Sequence, residues 1–135
     1  MKRYLIDTHV LLWLCADTSK LSQRVNILLK NSDNSIAVSL MSFWEIAIKA
    51  SIGKLDFKIS IAELQNEINK KDIELILPDL GTIELINKMP FYKFNGIEHR
   101  DPFDRMLIAQ AITENIPIIS ADTKFDLYPE VQRIW

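Results

Sequence analysis

The stretch HRDPFDRMLIAQA, His99 to Ala111, sets two carboxylates at the start of a helix. Asp101 followed by Pro102 reads as an N-cap and an N1 proline, because the N–H that proline lacks is one a first turn leaves unpaired anyway. That register puts Asp104 at N3, where a carboxylate meets the positive end of the helix dipole and supports the cap in the manner of a capping box. Asp104 also falls at helical spacing from Leu107, Ile108 and Ala111, so it points along the apolar face. An acid at the edge of a core face needs a partner or a cation. The other acids of the chain are read for whether they share that place.

Working outward, Asn115 can end this helix, and Pro117 to Ser120 reads as a strand with its proline at the permitted first position. Gln132 to Trp135 reads as a last, edge strand. Towards the start of the chain, Met89 to Glu98 reads as irregular, with three aromatics and Gly96. Before it come a short helix from Asp79 to about Lys88 and a strand at Ile73 to Leu77. Ser60-Ile61-Ala62-Glu63 is a capping box, with Ile59 and Leu64 placed for a hydrophobic staple, and its helix carries Ile61, Leu64 and Ile68 on one face. Met41 to Ile52 is an apolar helix stopped by Gly53, following a strand at Ser35 to Ser39. Ser22 caps a helix bearing Val25, Leu28 and Leu29. Arg3 to Ile6 is a buried strand, and the helix from Thr8 is capped by Asp7 or by Thr8 itself.

Strands alternating with helices predict one α/β domain over residues 1–135 with a mainly parallel sheet. With 135 residues, 48% hydrophobic and 25% charged, the chain can bury a proper core. No apolar run reaches membrane-spanning length, and the opening MKRYLIDTH is too short in its apolar part for a signal peptide. Cys15 alone excludes an internal disulfide and fits a reducing compartment, and its apolar surroundings predict a buried, inert thiol. The expected location is the cytoplasm, with no membrane partner. A net charge of −2 rules out a broadly basic nucleic-acid coat, so any such contact is local.

In parallel sheets ligands gather at the carboxyl ends of the strands, where strand order switches. Asp7 ends the first strand and Asp122 lies just past the fourth. Glu45 sits about a turn into the helix after the second strand, and Asp104 opens the helix leading into the fourth. Each acid also has a plain structural reading. Asp7 caps a helix, Asp122 starts a turn, and Glu45 pairs with Lys49 four residues on, with Ser42 on the same face. Together they are less easily explained, since carboxylates crowded at one edge raise one another's pKa unless a cation holds them. An all-oxygen set selects Mg²⁺ or Mn²⁺ over zinc, and such a site suits phosphodiester hydrolysis. Ser120, and Thr8 beside Asp7, are placed to hold a water or a carboxylate behind the metal; a strand-end serine and a helix start are their plain alternatives.

With these residues in view, the chain resembles the PIN-domain ribonucleases, and among them the VapC-type toxins of toxin–antitoxin pairs. The likeness rests on LIDTHVLLWL, VSLMSFWEIAIKASIGKL, HRDPFDRMLIAQA and IPIISADTKFDLYPEVQRIW, in that order. The resemblance implies a three-layer α/β/α fold and metal ligation by Asp7, Glu45, Asp104 and Asp122, with Ser120 at the family's small polar position. Asp101, from the DPFD form of the motif, is either a further ligand or only a cap. It further implies Mg²⁺- or Mn²⁺-dependent cleavage of RNA, with loops of transfer RNA favoured, a homodimer, and a cognate antitoxin that blocks the site.

Lys49, Lys54, Arg100, Arg105 and Lys124 are the cations nearest the motifs, and Arg100, Arg105 and Lys49 are candidates for touching RNA. The loop Phe91 to Phe94 mixes aromatics with a lysine, so Tyr92 either stacks an unpaired base or packs on the core or a second subunit. His9 reads as packing near a cap. His99 with Arg100 reads as a solvated loop pair or a phosphate contact. Trp13, Trp44 and Trp135 read as core or interface. A phosphoacceptor receiver domain is a poor alternative, because Asp7 stands alone after its strand where that chemistry needs paired acids. A PIN-like module that binds RNA or protein without cutting, and a DNA nuclease using the same metal chemistry, are the remaining alternatives.

Overall fold

The computed structural model describes residues 1–56 and 58–135. Its elements run β1 (Lys2–Ile6), α1 (Thr8–Ala16), α2 (Gln23–Lys30), β2 (Asn34–Ser39), α3 (Leu40–Ser51), α4 (Ile61–Lys70), β3 (Glu74–Ile76) and α5 (Leu80–Lys88). After these come β4 (Lys93–Phe94), β5 (Ile97–Glu98), α6 (Pro102–Glu114), β6 (Ile118–Ile119) and β7 (Arg133–Ile134), with 3-10 turns at Thr18–Lys20 and Thr123–Leu127.

Strands β3-β2-β1-β6-β7 form one sheet in that order, each neighbouring pair parallel. The period of two along β1 divides the core. Tyr4 and Ile6 face Val10, Leu11, Val25, Leu64 and Ile68 of α1, α2 and α4. Leu5 faces the opposite way, toward Leu107 and Ile108 of α6 and Phe125, with Leu85 and Ile86 of α5 packed on the same cluster. Helices therefore cover both faces of a buried parallel sheet, and the fold is the expected three-layer α/β/α. Helix α3 contributes Phe43 and Ile46 to the first cluster.

Local signals account for most boundaries. Asp7, Ser22, Ser60, Asp79 and Asp101 each accept a backbone N–H at the start of a helix. Gly53 (φ 71°) and Asn115 (φ 52°) supply the left-handed residues that close α3 and α6. Met89–Glu98, expected to be irregular, instead holds a two-stranded antiparallel hairpin pairing Lys93 with Glu98 and Phe94 with Ile97. Its two-residue turn is Asn95-Gly96, with φ 52° and 80°. Positive φ at both central positions matches the right-handed twist of the flanking strands.

The chain steps outward from β1 through β2 to β3, then returns to β1's other side for β6 and β7. The strand order therefore reverses between β1 and β6, which are paired through Leu5 with Ile118 and Ile6 with Ile119. Asp7 and Ser120 are the residues immediately past those two strands.

Candidate functional site

At that switch point a cleft of about 190 Å³ is lined by Asp7, Thr8, His9, Glu45, Lys49, Asp101, Asp104, Asp122, Lys124 and Phe125. Acids from separate elements meet there: Asp7, Asp101, Asp104 and Asp122 sit where the chain turns between elements, and Glu45 projects from within α3. Asp7 is 5% exposed, and its Oδ1 accepts the Val10 N–H at 2.8 Å while capping α1. The fully buried Ser120 hydroxyl donates to Asp7 and accepts the Asp122 N–H at 3.0 Å, tying the ends of β1 and β6 together. Asp122 turns its Oδ1 to the Lys124 N–H, 3.0 Å away, and so caps the 3-10 turn at Thr123–Leu127.

Glu45 is also 5% exposed, far more buried than a helix-surface acid. Its Oε1 accepts the Thr8 hydroxyl at 2.7 Å, and the same hydroxyl lies 2.9 Å from Ser42 Oγ. Its Oε2 pairs with Lys49, as helical spacing predicts. Lys49 lines the same cleft, so the pair faces the acids rather than open solvent. Asp101 is exposed and accepts the N–H groups of Phe103 (2.9 Å) and Asp104 (3.1 Å) through one oxygen, acting as the cap at the rim.

Asp104 does not turn back to complete a capping box. Its Oδ2 lies 3.1 Å from His99 Nε2. Burial, then the charges of Asp101, Asp122, Glu45 and Asp7, push its carboxyl up to about 8. Burial likewise raises Asp7, against the hydrogen bonds from Ser120 and Val10 and the charge of His9. Burial opposes the charge of Lys49, but Glu45, Asp101 and Asp104 outweigh it and hold the ammonium above its ordinary range. The cleft thus carries more negative charge than its one paired lysine relieves.

As arranged, no three His, Cys, Asp or Glu side chains among the described residues converge tightly enough to cage a cation. Glu45 is turned to Lys49 and Asp104 to His99. The donor chemistry still fits a hard divalent ion, being all oxygen, crowded, and held at a charge cost that a cation would relieve. The residues that would hold it are Asp7, Glu45, Asp104 and Asp122. A larger, mostly apolar cavity of about 260 Å³, between Leu14, Leu29, Ile36 and Ile73, lies away from every one of these acids.

Several sequence readings change. His99 is neither solvated nor a phosphate contact. It is 6% exposed and bonded on both ring nitrogens, to Asp104 and, at 2.8 Å, to the Tyr128 hydroxyl. Burial lowers its pKa. Arg105 is 3% exposed and cannot reach RNA. Its guanidinium donates to the carbonyls of Met89 and Pro90, each at 2.9 Å, and to Tyr128 Oη at 3.1 Å, because the end of α5 leaves carbonyls needing donors. Tyr92 packs edge-on against Tyr128 with ring centroids 5.0 Å apart, which is the packing alternative and not an open stacking platform. The exposed ring in that loop is Phe91, with Arg100 at 4.8 Å and Arg105 at 4.3 Å from its centroid. Arg100 itself is exposed and pairs with Glu98. His9 is exposed and lies 5.7 Å from the Trp13 ring. Cys15 is half-buried rather than buried, and burial pushes its thiol up, away from reactivity.

Comparison with known proteins agrees with this architecture. The structure superposes on the VapBC2 complex of Rickettsia felis bound to a promoter DNA fragment, with a TM-score of 0.62 and 20% identity over 98% of this chain and 97% of that one. It is similar to VapBC-1 of nontypeable Haemophilus influenzae, at a TM-score of 0.65 and 17% identity over 98% and 96% of the two chains. FitAcB of Neisseria gonorrhoeae gives 0.61 and 14% over 98% and 96%. At these identities the likeness is one of fold. A comparison with curated protein sequences finds no match. The PIN domain family model matches residues 4–131, nearly the whole chain, and so places it: the chain belongs to the PIN domain family.

Proposed function

We propose that this chain is a metal-dependent endoribonuclease of the VapC type, the toxin of a toxin–antitoxin pair, hydrolysing phosphodiester bonds in RNA. The observation that carries the reading is the meeting of Asp7, Glu45, Asp104 and Asp122 in one cleft at the sheet's switch point, with Asp104 pushed up to about 8. A divalent cation bound there, Mg²⁺ or Mn²⁺, supplies positive charge to polarise the phosphate and acidify a water. The chain's own residues do the rest. Ser120 orients Asp7 and steadies the backbone at Asp122, Thr8 orients Glu45, and Lys49 and Lys124 present cations to the phosphates at the cleft wall. Arg100, exposed beside Phe91, is a further phosphate contact.

The solved complexes of similar fold support an antitoxin partner, since they are described as VapBC or FitAcB assemblies. The expected setting is the cytoplasm; among the described residues no helix is long and apolar enough to cross a membrane. Loops of structured RNA such as transfer RNA are the favoured substrate. A surface of net charge −2 does not gather RNA broadly, so binding rests on the cleft and a few local cations. The test uses purified protein and labelled RNA. Chelation stops cleavage, Mg²⁺ or Mn²⁺ restores it, and Ca²⁺ restores it poorly because its coordination is longer and looser. Full cleavage in excess chelator overturns the reading.

A further inference from the structure

Behind the acid cleft lies a line of hydrogen bonds that the proposed chemistry does not by itself require. Arg105 Nη1 donates to Tyr128 Oη at 3.1 Å, Tyr128 Oη lies 2.8 Å from His99 Nδ1, and His99 Nε2 lies 3.1 Å from Asp104 Oδ2. Arg105, Tyr128 and His99 are 3%, 1% and 6% exposed, so the line runs through the interior and ends at the cleft. Each link is fixed from outside. Arg105 is held by the Met89 and Pro90 carbonyls, Tyr128 by the edge of Tyr92, and His99 by its backbone N–H, which donates to the Tyr92 carbonyl at 2.7 Å.

We propose that His99 is a positioning residue for Asp104, held in one orientation and one tautomer by Tyr128 and Arg105, so that Asp104 meets a divalent cation with a preset carboxylate. The proton count sets the direction. Arginine only donates, so the Tyr128 oxygen accepts from Arg105. Tyr128 is buried, and its single hydroxyl proton has one acceptor among the described residues, His99 Nδ1. The remaining ring proton is then on Nε2 and is donated to Asp104 Oδ2 when Asp104 is a carboxylate. Asp104 Oδ1 carries no hydrogen bond among the described residues and is the oxygen left for the cation. The opposite tautomer would leave the tyrosine proton buried without an acceptor, which is costly. Hydrogen bonds behind a ligating group fix its orientation, and their loss weakens metal binding by about 10- to 100-fold.

This inference rests on the metal-site reading above, and the experiment separates the two. Mn²⁺ affinity is measured by calorimetry on the full chain for the wild type, His99→Leu, His99→Gln and Tyr128→Phe, with a thermal melt of each. Glutamine places an N–H near the position of Nε2, so His99→Gln keeps the donor to Asp104 and retains affinity within about threefold of wild type. His99→Leu loses about 10- to 100-fold. Tyr128→Phe, which removes one oxygen from the line and keeps the ring, loses affinity in the same direction by a smaller factor. A merely structural role predicts the reverse pattern, with affinity following the melting temperature and no rescue by glutamine. If the wild type binds Mn²⁺ and both His99→Leu and Tyr128→Phe bind it equally well, the positioning role is overturned and the metal site stands. Failure of the wild type to bind Mn²⁺ overturns both.

Discussion

Asp104 ends among four other carboxylates, and its own carboxylate has one hydrogen-bond partner among the described residues, His99. Its folded-state pKa of about 8 stands above the ordinary aspartate value of 3.8, so in the metal-free protein the folded state binds the extra proton between those values. For a raised acid the stabilising contribution is fully present below the unfolded pKa and is lost as pH rises through the folded one. The metal-free protein therefore melts progressively lower as pH is raised from about 4 to about 8. Asp104→Asn flattens that slope, and Mg²⁺ flattens it in the wild type; a melt series in chelator across this range reads both. The same crowding bears on catalysis. Asp7→Asn, Glu45→Gln, Asp104→Asn and Asp122→Asn each lower RNA cleavage by about 100-fold or more, the scale of losing one preorganised electrostatic group. Asp101→Asn keeps most of the activity if Asp101 only caps, because asparagine caps α6 about as well. A near-wild-type rate in any of the first four removes that residue from the ligand set.

Among the elements, the hairpin β4–β5 delivers His99, since the chain leaves β5 directly into that residue and pairs it with Tyr92. Gly96 sits at φ 80° with nothing within 4 Å of an added Cβ, so Gly96→Ala meets no clash and its cost is backbone strain alone. A loss of about 1–2 kcal/mol in denaturant unfolding is expected. Helix α6 holds a second test. Gln110 is 2% exposed, and neither its amide oxygen nor its nitrogen has a partner among the described residues. Gln110→Met keeps the shape and removes the orphaned polar atoms, stabilising by about 1–3 kcal/mol, read as a rise of a few degrees in melting temperature.

These elements differ in how plainly they show in the chain. Strands β1 and β2 are apolar runs bounded by caps, and the helices announce themselves through Ser22, Ser60, Asp79 and Asp101, so local chemistry is enough. The hairpin has two residues per strand, too few for alternation to register, and its Asn95-Gly96 turn was the available signal. Asp7, Asp104 and Asp122 were readable because each falls at an element boundary near the carboxyl edge, and Glu45 because it lies about a turn into the helix that follows β2. His99 was not, since its meaning depends on Tyr128, 29 residues further on, and on burial that local sequence does not report. Arg105 misled for the same reason: a charged residue beside a motif reads as exposed until the carbonyls at the end of α5 claim it.

At the scale of the whole molecule, several large apolar side chains remain exposed. Leu77, Leu80 and Ile83 are 63%, 84% and 48% exposed around the start of α5, and Trp44 of α3 is 56% exposed. A groove of about 500 Å³ joins the two helices through Met41, Trp44, Ile86, Met89 and Phe91. Large exposed apolar side chains are candidates for an interaction site. A homodimer, which the resemblance to the VapC-type toxins implies, would bury these side chains against a second copy. Trp44 precedes Glu45 in α3 and lies edge-on to Phe103, the neighbour of Asp104, with ring centroids 5.5 Å apart. Sedimentation of the antitoxin-free protein at micromolar concentration is expected to give a dimer, and Leu80→Glu a monomer, with the melt of the monomer itself little changed because Leu80 is 84% exposed. A wild type that sediments as a monomer overturns the dimer. A Leu80→Glu variant that stays dimeric moves the interface away from the start of α5.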